Sequence, residues 1–211
     1  NGPVPDFDAG LDQYCAISYT SGTTGEPKGA VLNQRWFQIG AKNAGLLADV
    51  RPGDVLFMWE PFFHVSGWMT VLICLQHGTT MAMVERFSAS QCWDQIKRYG
   101  ATQFHYLGGA MNLLLKQPPS PVDKDNPVRI AWGAAAPAHS WREFESRFGV
   151  AVREGYGITE AGNFTMLNLN GPVGSIGKPV EEFDAWIETD DGKKAVAGEV
   201  GEIVLRAKSP G

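Results

Sequence analysis

Cysteine is scarce: three residues, Cys15, Cys74 and Cys92, with no CxxC pair. An odd, scattered set in apolar surroundings excludes a disulfide framework and predicts reduced core thiols in a cytoplasmic protein. Positive charge is short as well, since 18 Lys and Arg against 23 Asp and Glu leave a net charge of -5. With no basic excess to attract a phosphate backbone or an anionic lipid surface, nucleic acid is excluded as a partner, and any phosphate has to be held locally. Long hydrophobic runs are missing too. The longest, "WMTVLICL" (68–75), falls far short of the roughly twenty residues of a spanning helix and reads as a buried helix, so no membrane span is expected. The opening "NGPVPDFDAG" has neither the basic nor the apolar region of a targeting segment, and both ends read as cut from a longer chain.

Several catalytic signatures are absent. There is no GxSxG nucleophile elbow, so an α/β-hydrolase would lack its serine. No GxGxxG marks a dinucleotide site, and the histidines His64, His77, His105 and His139 show no HxxxH or Cys-paired spacing for zinc.

What remains is an ordinary globular composition, 211 residues with 44% hydrophobic and 19% charged, long enough to bury a core. Strand-like runs at 14–20, 54–59, 79–84, 102–107, 128–133 and 150–156 alternate with helix-like segments at 33–50, 66–78, 88–100, 108–117 and 137–149. Ser88 and Pro137 mark helix starts, and Gly100 and Gly149 sit where C-terminal caps belong. The alternation predicts an α/β fold with a layered, mostly parallel sheet and flanking helices over residues 1–165. Residues 166–211 change texture. Glycine-bounded short strands around "DDGK", an Asp-Gly turn signal, predict a small β-rich segment there.

The densest chemistry lies in "SYTSGTTGEPKGAVL" (18–32). Glycines let backbone N–H groups approach an anion, Thr20, Ser21, Thr23 and Thr24 add hydroxyl donors, and Lys28 adds one cation behind the stiffening Pro27. Placed beyond the first strand, and read as its connection to a helix, this is built as a polyphosphate cradle. It is not a Walker A loop, because Pro27 precedes the lysine and Gly29 follows it.

"YTSGTTGEPKG" (19–29) resembles the phosphate-loop signature of the adenylate-forming, or AMP-binding, enzymes: acyl-CoA synthetases, peptide-synthetase adenylation domains and luciferases. In the same order, "PFFHVSG" (61–67) resembles that superfamily's aromatic-histidine segment, "WGAAAP" (132–137) its adenine-side loop and "EGYGITEAG" (154–162) its adenine-stacking and metal-binding motif. "GSIGKP" (174–179) and "GEIVLRAKSPG" (201–211) resemble its downstream segments, so the likeness runs nearly end to end. "EGYGITEAGNFT" (154–165) also resembles the carnitine or crotonobetaine CoA ligases.

The resemblance implies an acyl-CoA synthetase, an acid-thiol ligase that makes an acyl-adenylate from a carboxylic acid and ATP and then a thioester with CoA. It assigns the β and γ phosphates to Thr20, Ser21, Gly22, Thr23, Thr24 and Lys28, the α phosphate to Thr159, and Mg²⁺ to Glu160. Thr20, Lys28 and Glu160 would be the catalytic set. Tyr156, between Gly155 and Gly157, would face the adenine, with Gly133, Ala134 and Ala135 beside it. His64, Trp68, His105, Gly108, Gly109 and Asn163 would line the acid pocket, which their mix of size and polarity suits to a small acid. The superfamily's ribose-gripping aspartate, hinge and C-terminal lid with its lysine have no counterpart in these 211 residues. The expectation is therefore a central piece of a longer enzyme that is catalytically incompetent by itself. A carrier-protein-loading adenylation domain would share the phosphate motifs, though "PFFHVSGW" lacks the aspartate that holds an amino acid's ammonium. A non-catalytic nucleotide-binding module is the third possibility, and oligomeric state is left open.

Overall fold

Residues 10–21 and 25–209 are described by a computed structural model. The first elements are β1 (Tyr14–Thr20) and β2 (Lys28–Asn33), which pair antiparallel as a two-stranded sheet with Ile17 opposite Val31 and Thr20 opposite Lys28. Two expectations are corrected here: β1 is not a strand of the parallel sheet, and its glycine-rich loop leads into a second strand, not a helix. Burial gives the reason. Tyr14, Ile17, Tyr19 and Val31 are exposed, whereas a strand inside a parallel sheet is covered on both faces. Two β-capable runs this close in sequence pair with each other at little cost in loop closure. Cys15, on β1, is consequently exposed and is not a core thiol; Cys74 is half-buried, and Cys92 is buried, which pushes its thiol up to about 12.

Helix α1 (Gln34–Ala48) follows directly, with the Asn33 side chain accepting the Trp36 N–H as its N-cap. Strand and helix then alternate: β3 (Val55–Met58), α2 (Val65–His77), β4 (Thr80–Met83), α3 (Cys92–Tyr99), β5 (Gln103–Leu107), α4 (Ala110–Leu115), β6 (Ile130–Ala134), α5 (Ala138–Phe148) and β7 (Ala151–Tyr156). Gly100 and Gly149 close α3 and α5 in the left-handed conformation, as expected. The start of α3 differs from expectation. It begins at Cys92, because the Gln91 N–H first closes a turn onto the Ser88 carbonyl.

The large sheet runs β4-β3-β5-β6-β7, all parallel, and β8 (Met166–Asn168) and β9 (Lys178–Pro179) extend it antiparallel from β7. Its strands alternate between two cores. On β6, Ala131 faces a core with Ile96, Leu114, Phe144 and Phe148, while Ile130 and Trp132 face another with Trp36, Leu47, Met69 and Phe164. Helices α3, α4 and α5 thus cover one face, and α1 and α2 the other. Each fully buried side chain of this size contributes on the order of 2 kcal/mol. Helix α2 carries the longest apolar run but is only partly buried, with Leu75 exposed. No described helix is long and apolar enough to cross a membrane. Beyond the large sheet, β10 (Phe183–Glu188) and β11 (Glu202–Ala207) form their own antiparallel pair. The Asp191-Gly192 turn returns only as far as a bridge between Glu188 and Lys194, and β11 comes after a further loop.

Candidate active site

The carboxyl ends of β5, β6 and β7, the start of α2 and the loop end of the β1–β2 hairpin converge on one cleft of about 560 Å³. Open parallel sheets present ligand sites at this edge, because strand-to-helix loops splay apart there. A larger depression of about 910 Å³, between the hairpin, α1 and β11, shares Glu160 but has no Lys28 on its wall. Convergence of chemistry, not size, singles out the smaller cleft.

Thr20, Ser21 and Lys28 reach it from the hairpin, and Gly157, Thr159, Glu160 and Asn163 from the turn after β7. Register explains the first group: Thr20 and Lys28 are directly opposed, so a hydroxyl and an ammonium leave the hairpin at the same level. Gly22, Thr23 and Thr24 lie outside the described residues. The second group rests on a short 3-10 turn, Thr159–Ala161, whose Thr159 carbonyl accepts the Trp36 indole N–H at 2.7 Å. Gly157 can only be glycine, since a Cβ there would lie 1.3 Å from the Asn163 carbonyl oxygen. Asn163 has φ 68, and its Nδ2 finds no partner among the described residues.

His64 and Ala134 also line the cleft. His64 caps α2, its Nδ1 accepting the Ser66 N–H at 3.3 Å. Gly133 is buried in β6, where a Cβ would strike the Tyr106 carbonyl oxygen at 1.8 Å, so its smallness serves strand packing. Ala135 follows with φ 63. Gly155 and Tyr156 end β7, Gly155 against the Phe164 ring. Gly108 turns the chain after β5 and donates its N–H to the Ala134 carbonyl. Trp68 stands apart from the cleft lining and stacks on Phe37 at 5.7 Å.

Two buried acids beside the cleft escaped sequence reasoning. Glu154, 5% exposed, accepts the Tyr106 hydroxyl at 2.5 Å and the N–H groups of Ala135 and Ala136 at 2.6 and 3.0 Å. It thereby holds the 134–136 loop in its left-handed bend. Burial pushes the Glu154 carboxyl up, and these three donors only partly offset it; burial and the adjacent carboxylate push the Tyr106 phenol up. Glu60, 3% exposed, stands 2.7 Å from Nδ1 of His105 and 3.3 Å from that of His64. Burial alone would raise the Glu60 carboxyl, but His105 and His64, with a hydrogen bond from Ser66, hold it below its ordinary value. An acid directly before Gly-Tyr-Gly at a strand end, and one directly before Pro-Phe-Phe-His, were the available signals.

The hydroxyls, the ammonium and the carboxylate on this cleft form a hard, oxygen-rich set suited to phosphates. Glu160 is exposed and makes no ion pair among the described residues, and those residues hold no cluster of three or more acids, histidines or cysteines. The set fits Mg²⁺, which takes few protein carboxylates and completes its shell with phosphate and water oxygens.

The family model of AMP-binding enzymes matches residues 2–210. A mouse protein named long-chain fatty acid transport protein 6 is 37% identical over 182 residues, 83% of this chain and 29% of that protein. A Cupriavidus necator protein named sulfoacetate–CoA ligase is 35% identical over 212 residues, 98% of this chain and 40% of that one. Among solved structures, the Bacillus subtilis O-succinylbenzoate coenzyme A synthetase in complex with ATP and magnesium ion superposes with a TM-score of 0.80 at 26% identity, covering 94% of this chain and 42% of its own. The chain spans well under half the length of each of these relatives. Family match, fold and convergent cleft agree, and the chain belongs to the AMP-binding, adenylate-forming enzyme family, with acyl-CoA ligases among its homologues.

Proposed function

We propose that the intact enzyme activates a small carboxylic acid with ATP in the cytoplasm and then forms its CoA thioester. A carboxylate oxygen attacks the α phosphorus, the bond to pyrophosphate breaks, and the CoA thiol, losing its proton, then displaces AMP from the acyl carbon. The observation that carries this reading is the meeting of Thr20, Ser21 and Lys28 with Thr159 and Glu160 around one cleft. An anion attacking a polyanion needs neutralisation and alignment above all. Lys28 and the hydroxyls of Thr20 and Ser21, joined by Gly22, Thr23 and Thr24, would hold the terminal phosphates. Thr159 would hold the α phosphate, and Tyr156 with Gly133, Ala134, Ala135 and Gly155 would bound the adenine. Magnesium, when bound, neutralises phosphate oxygens, and Glu160 is the residue that would hold it. His64, Gly108 and Asn163 would border the acid, with Trp68 as support behind them.

Relatives named for acids as different as long-chain fatty acids and sulfoacetate leave the acid open, including the carnitine-type likeness of 154–165. By themselves these 211 residues would bind ATP weakly and turn over little, since the family's lid and its lysine would have to come from elsewhere. The test is ATP–pyrophosphate exchange by the full-length enzyme over a panel of acids. Lys28→Ala and Glu160→Ala should each lower the rate on the order of 10²-fold or more with an unchanged melting temperature. Absence of exchange with every acid would point instead to a nucleotide-binding module without chemistry, and unchanged exchange in both variants would remove Lys28 and Glu160 from the machinery. Free CoA should serve as acceptor where a phosphopantetheinyl carrier protein does not.

A further inference from the structure

We infer that the buried Glu60–His105 pair is a specificity device, and that it selects a carboxylic acid carrying a hydroxyl away from the carboxylate over a plain alkyl acid. The inference rests on the reading of the cleft as a carboxylate-activating site and deepens it. His105 lies on the cleft wall although it is only 2% exposed. Its Nδ1 is 2.7 Å from Glu60 Oε2, yet neither atom makes an aligned hydrogen bond among the described residues. Trp132 packs edge-on against the imidazole at 4.5 Å and fixes the plane of the ring.

A carboxylate this deeply buried beside an imidazole, with no lysine or arginine paired to it among the described residues, is expensive unless it serves a purpose. A carboxylate oxygen 2.7 Å away favours the ring proton on Nδ1, which leaves Nε2 as the ring's acceptor. The same cleft carries a donor with no partner among the described residues, Asn163 Nδ2, on a backbone held at φ 68. One acceptor and one donor are the complement of a hydroxyl, which donates once and accepts twice. An alkyl chain in their place would leave both buried groups without partners. Sites built to bond a substrate hydroxyl reject the analogue lacking it far more strongly than an apolar pocket rejects a missing methylene.

The test uses the full-length enzyme and pyrophosphate release, with short straight-chain acids offered with and without a terminal hydroxyl. The wild type should favour the hydroxylated member of at least one pair by about tenfold or more in kcat/KM. His105→Leu should erase or invert that preference while retaining turnover of the plain acid. Should His105→Leu fail to fold, Glu60→Gln keeps the volume, removes the charge and should still shrink the preference. A wild type indifferent to the hydroxyl, or a preference that survives both substitutions, overturns the inference while leaving carboxylate activation intact. Absence of pyrophosphate release with every acid overturns carboxylate activation, and this inference with it.

Discussion

Two buried carboxylates, Asp54 at the amino ends of the parallel strands and Glu154 beside the cleft, are treated in opposite ways. Asp54, 6% exposed and directly before β3, accepts from Thr102 Oγ1 at 2.7 Å, Gln103 Nε2 at 2.7 Å, the Arg51 N–H at 2.8 Å and Arg129 Nη2 at 2.6 Å. Burial would raise its carboxyl, but those hydrogen bonds and the arginine's charge more than compensate and hold it low. Glu154, at the cleft end, has only neutral donors among the described residues, and its carboxyl is held high. The amino ends of the strands are thus closed by a guanidinium that locks β3, β5 and β6 together. Beside the cleft, Glu154 has no cation paired to it among the described residues and shapes a loop. Perturbed carboxyls gather at functional sites because such sites trade stability for a prearranged geometry.

The largest effect should come from converting the first end into the second. Arg129→Ala removes the cation facing Asp54 and Asp49, and should cost roughly 3 kcal/mol in urea denaturation of the full chain. A loss under about 1 kcal/mol would mean that the arginine is not what separates the two ends. Next in size, Tyr106→Phe takes from Glu154 its shortest hydrogen bond and should cost about 1 to 2 kcal/mol. The same variant should loosen the 134–136 loop and weaken ATP binding more than it weakens pyrophosphate binding, which titration calorimetry would separate.

The smallest effect, and the sharpest in sign, concerns pH. Asp54 has a folded carboxyl below the unfolded value of about 3.9, so its contribution is present above that pH and is lost as pH falls through the lower folded value. Glu154 has a folded carboxyl above the unfolded value of about 4.3, so its contribution is present below that pH and is lost as pH rises through the folded value. Urea denaturation against pH should show Asp54→Asn flattening the acid limb and Glu154→Gln flattening the opposite slope, each by on the order of 1 kcal/mol. The same sign for both would break the contrast.

Local regularities were legible in the sequence. Alternating apolar runs and glycine caps located the parallel strands and helices, because period and left-handed capping are properties of a few neighbouring residues. The hairpin was not. "KGAVLN" is too short to declare itself a strand beside a glycine-rich loop, and only its pairing with β1 makes it one. Long-range polar contacts were equally invisible: Glu60 meets His105, Arg129 meets Asp54 and Glu154 meets Tyr106 through crossovers whose register no local pattern encodes. Motif residues such as Lys28 and Glu160, and their meeting at one site, were expected from the resemblance, but not that a hairpin and a 3-10 turn present them.

The most direct measurement is a crystal structure of the full-length enzyme with ATP and magnesium. The terminal phosphates should lie within hydrogen-bonding distance of Thr20, Ser21 and Lys28, the α phosphate beside Thr159 and the metal against Glu160. A nucleotide seated in the larger depression between the hairpin, α1 and β11, with Lys28 turned to solvent, would contradict the account.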